Sequence, residues 1–124
     1  MGILRNTDGF QFAGSTLLYY TGDASVVSIP DGVVKIAERA FENNKKIEQL
    51  VLPDTLECIE AYAFYKCKKL KTVNFPQGLR KIGSSAFKEC GLESVHIPTS
   101  VEVIEKEEID AVAIGRQFFV KQKY

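Results

Sequence analysis

Four prolines at nearly equal intervals constrain this chain more than any other feature. They stand at positions 30, 53, 76 and 98, and an Ala-Phe pair recurs at 40–41, 63–64 and 86–87. Aligned on these marks, the chain divides into the units 25–47, 48–70, 71–92 and 93–114. A repeat of this length is typical of solenoids, in which a unit buries its apolar face only by stacking on its neighbours.

Each unit begins with a predicted strand that ends at the proline. Apolar residues stand one and three positions before it, as the period-two alternation of a strand with one buried side requires: Ile29, Leu52, Phe75 and Ile97, and Val27, Leu50, Val73 and Val95. Proline suits a strand end because it cannot donate the next ladder bond. We expect the strands of successive units to pair in parallel.

The second half of each unit has a different apolar spacing. In the first unit it runs through Val33, Ile36, Ala40 and Phe41, which matches one face of a helix. The Val-x-x-Ile part could instead be extended, with helical turns only around Ala-Phe, and the pattern alone leaves both open. The predicted fold class is therefore an α/β repeat, a short solenoid with parallel strands on one face and short helical turns on the other.

Composition narrows the function classes. Sixteen basic residues balance sixteen acidic ones, so the net charge gives no general attraction to nucleic acid or to anionic lipid. No apolar run approaches the roughly 18 residues that a membrane span needs. Three cysteines, an odd number, argue against a disulfide framework. Cys67 and Cys90 occupy the same column, that is, the same position in the aligned repeats. They are interpreted as buried structural thiols, with a redox pair as the alternative. Cys58 is expected at the surface and open to alkylation.

These columns resemble the BspA-type leucine-rich repeat family. The shared pattern, over residues 25–104, is Leu-x-x-Val-x-Ile-Pro, then Val-x-x-Ile, Ala-Phe and Cys. Residues 17–33 also resemble the first segment of such arrays. Two departures are Asn44, where cysteine is usual, and Glu108-Ile109, where the fourth unit lacks Ala-Phe. The resemblance implies a surface protein of a host-associated bacterium or a protist, with adhesion and protein-binding roles.

The ends of a repeat stack need covering, since terminal units otherwise leave their core exposed. We predict a single domain, 1–124, with an N-terminal cap at 1–24 and a C-terminal cap at 115–124. The alternation around Ala13-Gly14-Ser15 predicts a hairpin that closes the first end. The apolar C-terminal segment covers the last repeat, or it continues a longer array.

The outward positions of the strands form the first candidate surface. Repeat proteins commonly bind partners through a sheet face, and these positions vary freely between units. Variation is equally what any solvent-facing position shows, so an inert surface is the alternative. The candidate residues for partner binding are Val26, Gln49, Val51, Thr72, Asn74, Ser94 and His96.

A lysine ladder is the second candidate surface. Lys45 and Lys46 align with Lys68 and Lys69, so these side chains are expected to stand one above another. The full predicted ladder is Lys45, Lys46, Lys66, Lys68, Lys69 and Lys71. It could bind an acidic protein or, less readily, nucleic acid. Interspersed glutamates favour the alternative of a solvated mixed-charge edge.

Catalysis finds little support in the sequence. His96 is the sole histidine, and no nucleophile, base and orienting group are spaced to converge. No metal ligand set, phosphate loop or cofactor motif is present, so we expect no cofactor and no metal.

The primary hypothesis is a non-enzymatic protein–protein interaction module, a monomer that binds another protein. The alternative is a small intracellular binder or inhibitor of a protein or nucleoprotein complex that acts through the lysine ladder. The family resemblance implies the cell surface or secretion. The first residues do not form a secretory signal, which would make the chain cytoplasmic if it is a complete product.

Overall fold

The computed structural model describes residues 9–93, 96–98, 100–101 and 103–104. Within these residues it contains strands and turns and no helix. In chain order the strands are β1 (Phe10–Ala13), β2 (Thr16–Tyr20), β3 (Val26–Ser28), β4 (Lys35–Ile36), β5 (Gln49–Val51), β6 (Cys58–Ile59), β7 (Thr72–Asn74), β8 (Lys81–Ile82) and β9 (Val103–Ile104).

The strands that precede the first three prolines form one parallel sheet, as predicted, whereas Val95 of the fourth predicted strand lies outside the described residues. The order of this sheet is β3-β5-β7, and Val27, Leu50 and Val73 lie side by side in register. Val27 and Leu50 are buried, while the residues on either side of each are exposed. The period-two pattern therefore identified both the strand and its buried side.

A second sheet takes up the Val-x-x-Ile segments, for which the sequence left helix and strand open. Its strands pair in parallel except for the antiparallel pair β1 and β2. Its order is β1-β2-β4-β6-β8-β9, and Ile36, Ile59 and Ile82 are fully buried in register. These segments are extended because each pairs with the same segment of the next repeat. The solenoid thus has two sheet faces.

The predicted helical turns around Ala-Phe are wrong, and tight turns take their place on the third side of the solenoid. Ala40 N–H donates to the carbonyl oxygen of Ala37, three residues back (3.2 Å). Phe41 N–H instead donates to Ala63 O in the next repeat (2.7 Å). This alternation needs left-handed residues, and Arg39 and Asn43 have φ of 63° and 64°. A helix would direct every N–H back along its own axis.

The second and third repeats have the same turn. Tyr62, Phe64 and Lys66 donate their N–H groups to carbonyl oxygens of the third repeat at 2.8–3.0 Å. Tyr62 and Lys66 have positive φ, as do Ser85 and Glu89 one repeat later. Two left-handed positions per repeat therefore fix the turn, and the hydrogen bonds between neighbouring turns hold the repeats together on this side.

A stack of aromatic rings forms the centre of the core. Phe41 and Phe64 have ring centroids 4.6 Å apart, and Phe64 and Phe87 5.0 Å apart with nearly parallel planes (4°). Tyr20 of the hairpin continues the stack at 5.1 Å from Phe41. All three phenylalanines are almost completely buried. The Ala-Phe column of the sequence is therefore the interior of the solenoid.

The cysteine column lies beside this stack. Cys67 Sγ donates to Phe41 O and Cys90 Sγ to Phe64 O, both at 3.1 Å, so each thiol ties its repeat to the preceding one. Both cysteines are buried and reduced. Burial raises the pKa of Cys90 well above its ordinary value. These properties suit structural thiols, since the reactive form of a cysteine is the thiolate.

An antiparallel hairpin precedes the first repeat. Its second strand, β2, pairs in parallel with β4 and buries Leu17 completely, and Phe10 and Tyr20 are also buried. That this hairpin closes the stack stays a prediction, as do the domain boundaries. At the other end β9 pairs with β8, while the predicted C-terminal cap at 115–124 lies outside the described residues.

Candidate interaction surfaces

The outward side of β3, β5 and β7 holds most of the residues predicted to bind a partner. Val26, Gln49 and Thr72 lie in one line across the sheet, and Ser28, Val51 and Asn74 lie in the next. All six are exposed. His96 is exposed outside a strand, and Ser94 lies outside the described residues. Three strands at about 4.8 Å spacing make a small face.

Two valines give this sheet face its apolar part. Val26 is 53% exposed and Val51 36% exposed, although solvent-facing positions of a strand do not require apolar side chains. They lie on adjacent strands, two positions apart in register, since Val26 pairs with Gln49 and Val51 pairs with Ser28. Polar Gln49 and Thr72 lie beside them. An apolar centre with polar surroundings is the usual composition of a protein-binding patch.

Asn74 has a structural role in addition to its exposure. Its side-chain oxygen accepts the N–H of Leu52 at 2.9 Å, and its Nδ2 donates to Leu52 O at 3.4 Å. The amide thus pairs with the strand end of the preceding repeat. Substituting Asn74 would disturb the sheet as well as any binding, so the valines are the better probes of this face.

The structure brings most of the predicted lysine ladder to the turn side. Lys45, Lys46, Lys68 and Lys69 are exposed, and Lys68 Nζ lies 3.9 Å from Glu89 Oε1. Lys66 is half-buried, with its Nζ 5.3 Å from the centre of the Tyr65 ring. Lys71 is separate from the others, since it directly precedes β7 and donates its N–H to Glu48 O. The ladder is therefore a cluster on two neighbouring turns.

A cluster of aromatic and cationic side chains lies next to these lysines, and sequence reasoning missed it. The rings of Tyr62 and Tyr65 are 5.1 Å apart, and the Arg39 guanidinium carbon lies 4.4 Å from the centre of the Tyr62 ring. Arg39 also forms a 2.8 Å ion pair with Glu42. The repeat alignment held one signal, because tyrosine occurs at these two columns only in the second unit.

Cys58 is less reactive than its predicted surface position implied. It is half-buried in the second sheet, and its Sγ donates to Glu60 Oε2 at 3.4 Å. Burial, together with the hydrogen bond and negative charge of Glu60, raises the pKa of Cys58 to about 11. Glu60 also pairs with Lys35 (3.6 Å) and Lys81 (3.8 Å). Because alkylation requires the thiolate, the expectation of an alkylation-prone thiol does not fit this site.

The described part of the chain lacks two further features. No group of three or more histidine, cysteine, aspartate or glutamate side chains there is placed to hold a metal ion. No helix in the same residues has the length and apolar character to cross a membrane.

A family model matches most of the chain. The model described as "BspA type Leucine rich repeat region (6 copies)" matches residues 11–110, which confirms the resemblance seen in the repeat columns. No curated protein matches the chain.

Several solved structures are similar to this one. A leucine-rich repeat protein of T. pallidum has a TM-score of 0.74 and 26% identity, and the match covers 84% of this chain and 53% of the T. pallidum chain. A leucine-rich repeat protein of Bacteroides ovatus has a TM-score of 0.65 and 34% identity over 72% of this chain and 24% of its own. A leucine-rich cell surface protein of Faecalibacterium prausnitzii has a TM-score of 0.62 and 31% identity over 77% of this chain and 30% of its own. The chain thus spans about half or less of the length of each of these three proteins.

Proposed function

Because this chain belongs to the BspA-type leucine-rich repeat family, we propose that its protein-interaction repeats serve a surface or adhesion protein and bind another protein through the three-stranded sheet. The likeness to the cell surface protein of F. prausnitzii supports a role at the cell surface. The scaffold of this family is non-enzymatic, and we extend that to this chain.

The observation that carries the sheet-face proposal is the exposure of Val26 and Val51. In these strands the inward positions are already filled by buried Val27 and Leu50, so the two outward valines add nothing to the core. Covering them with a partner would remove apolar surface from water, at about 25 cal/mol per Å². The gain is modest on so small a face, and the polar neighbours would supply specificity.

A quantitative pulldown from the source cells tests this function. The wild-type chain and the double variant Val26→Ser, Val51→Ser serve as baits, and bound proteins are compared by mass spectrometry. We expect proteins captured by the wild type to be lost with the variant. Serine keeps a small side chain on an exposed strand position, so the fold should tolerate both changes.

The matched control is Leu18→Ser on the hairpin. Leu18 is 39% exposed, comparable with Val51, but it lies on β2 of the other sheet. Its capture profile should match the wild type. If the Val26, Val51 variant captures the same proteins as the wild type, the sheet face is not the binding surface.

A second candidate function is a small intracellular binder or inhibitor that acts through the lysine ladder. The exposure of Lys45, Lys46, Lys68 and Lys69 on adjacent turns favours it. In the same pulldown, changing these four to glutamate would then remove the captured proteins, and capture by the wild type would weaken at high salt because exposed charges are screened. Loss with this variant and retention with the valine variant would select this function over the first.

A further inference from the structure

The three tight turns form a basic surface on a chain whose formal net charge is zero. This turn surface comprises residues 38–46, 61–69 and 84–89, and holds seven basic residues against three acidic ones. The three acidic residues are Glu38, Glu42 and Glu89. Among the described residues Glu38 and Glu42 pair with Arg39, and Glu89 pairs with Lys68. In the part of the chain that the structure describes, Lys45, Lys46 and Lys69 form no ion pair.

Two tyrosines lie at the centre of this surface, on the middle turn. Tyr62 and Tyr65 are half-buried, with their ring planes 44° apart. Arg39 lies over one ring and Lys66 over the other. Among the described residues neither phenol group has a hydrogen-bond partner. The surface therefore offers two phenol O–H donors beside positive charge.

The turn backbone fixes the positions of these residues, and the contacts between rings and cations order their side chains, before any partner arrives. Tyr62 and Lys66 have φ of 57° and 62°, and their N–H groups donate to Ser84 O and Lys88 O of the next repeat. Side chains that are ordered in the free protein lose less entropy on binding. Tyrosine and arginine are also the residue types that most often dominate binding energy at protein interfaces.

The chemistry of the turn surface fits carboxylates. A carboxylate accepts phenol O–H and ammonium hydrogen bonds, and such charge-assisted bonds are stronger than neutral ones. Nucleic acid fits less well, because single-stranded bases bind by stacking on aromatic faces, and here a cation already lies over one face of each ring. We propose that the turn surface docks an extended acidic segment of a protein partner, held by the phenol groups of Tyr62 and Tyr65 and by the surrounding lysines.

This proposal rests on the second candidate function, since the turn surface includes the lysines of the ladder, and it is independent of the sheet face, because the two surfaces lie on different sides of the solenoid. The probe is a peptide of 20 glutamates, titrated into the full chain at low salt and followed by isothermal calorimetry. We expect saturable binding that weakens as salt is raised. The double variant Tyr62→Phe, Tyr65→Phe keeps both rings and removes only the hydroxyl groups, and its Kd should rise about tenfold.

Two controls and one further test variant separate the outcomes. Tyr19→Phe removes the hydroxyl of an exposed tyrosine on the hairpin and should bind like the wild type. Val26→Ser, Val51→Ser should also bind like the wild type, which separates this test from that of the sheet face. Lys66→Gln, Lys69→Gln should weaken binding and reduce its salt dependence.

Two kinds of result would overturn the proposal. One is the absence of glutamate-peptide binding, or equal binding by the wild type and the Tyr62→Phe, Tyr65→Phe variant. The other is tighter binding of a 20-nucleotide oligothymidylate than of the glutamate peptide, which would assign the surface to nucleic acid instead.

Discussion

At the scale of single residues, one hydroxyl group shows how neighbouring repeats are joined. Thr55 Oγ1 donates to Val33 O in the preceding repeat and accepts the N–H of Gly32, both at 2.9 Å. Ser100 Oγ donates to Leu79 O at 2.8 Å in the same way. The third repeat has Gly78 at this column, so it makes no such bridge to the second. The hydroxyl hydrogen bond thus joins the first repeat to the second and the third to the fourth, but not the second to the third.

Gly78→Ser should therefore stabilise the protein. Gly78 does not have a positive φ, and a Cβ there would lie 3.5 Å from Asp54 O, which is ordinary contact. The serine hydroxyl would reach Leu56 O, which is the counterpart of Val33 O one repeat later. We expect Gly78→Ser to exceed Gly78→Ala in stability by about 1 kcal/mol, the usual net value of a hydrogen bond. Urea denaturation measures the difference, and equal midpoints for the two variants would contradict the bridge.

Residue-scale features divide into those that the sequence revealed and those that it could not. The buried columns and the exposed sheet-face residues were predictable, since burial follows the alternation that four aligned units repeat. Asn74 looked like any outward residue, because its bond to Leu52 depends on how two strands end. Likewise the contact of Arg39 with Tyr62 crosses between repeats and has no sequence pattern of its own.

At the scale of elements, the turns are where sequence reasoning failed. Apolar spacings of three and four residues fit a helix and also a tight turn whose interior residues point the same way. The tight turn differs from a helix in its hydrogen bonds, because every second N–H group of the turn donates to a carbonyl oxygen of the next repeat and not to one earlier in the same turn. Glycine usually marks left-handed backbone, yet the six left-handed turn positions hold arginine, asparagine, tyrosine, lysine, serine and glutamate. Nothing in one unit signals this conformation.

A pair of substitutions at Glu89 distinguishes the turn from a helix. Glu89 is exposed and has φ of 61°. Left-handed backbone costs non-glycine residues about 1–2 kcal/mol, so Glu89→Gly should be more stable than Glu89→Ala by about 1 kcal/mol. In a helix the order would be reversed, with alanine better by a similar amount. Both variants remove the same contact with Lys68, so thermal unfolding of the two reports the backbone alone.

At the scale of the whole molecule, the solenoid couples its parts only through neighbours. Each repeat is joined to the one before and the one after by both sheets, by the backbone hydrogen bonds between neighbouring turns and by the aromatic stack. The free energy of unfolding of such arrays is nearly the sum of contributions from single repeats and from the interfaces between neighbours. A weak interface therefore lets the repeats on its two sides unfold separately. The sheet face and the turn surface depend on the same interfaces, and a core defect would weaken both.

Substitution of Phe64 tests this coupling between repeats most directly, because the Phe64 ring lies between those of Phe41 and Phe87. Phe64→Ala should cost about 3–5 kcal/mol, and amide hydrogen exchange should show β3 and β8 opening separately instead of together. Phe12→Ala is the matched control, since Phe12 is 37% exposed, and it should cost much less. A melting temperature within about 2 °C of wild type for Phe64→Ala would exclude the ring stack as the centre of stability, since a single kcal/mol already shifts a domain of this size by several degrees.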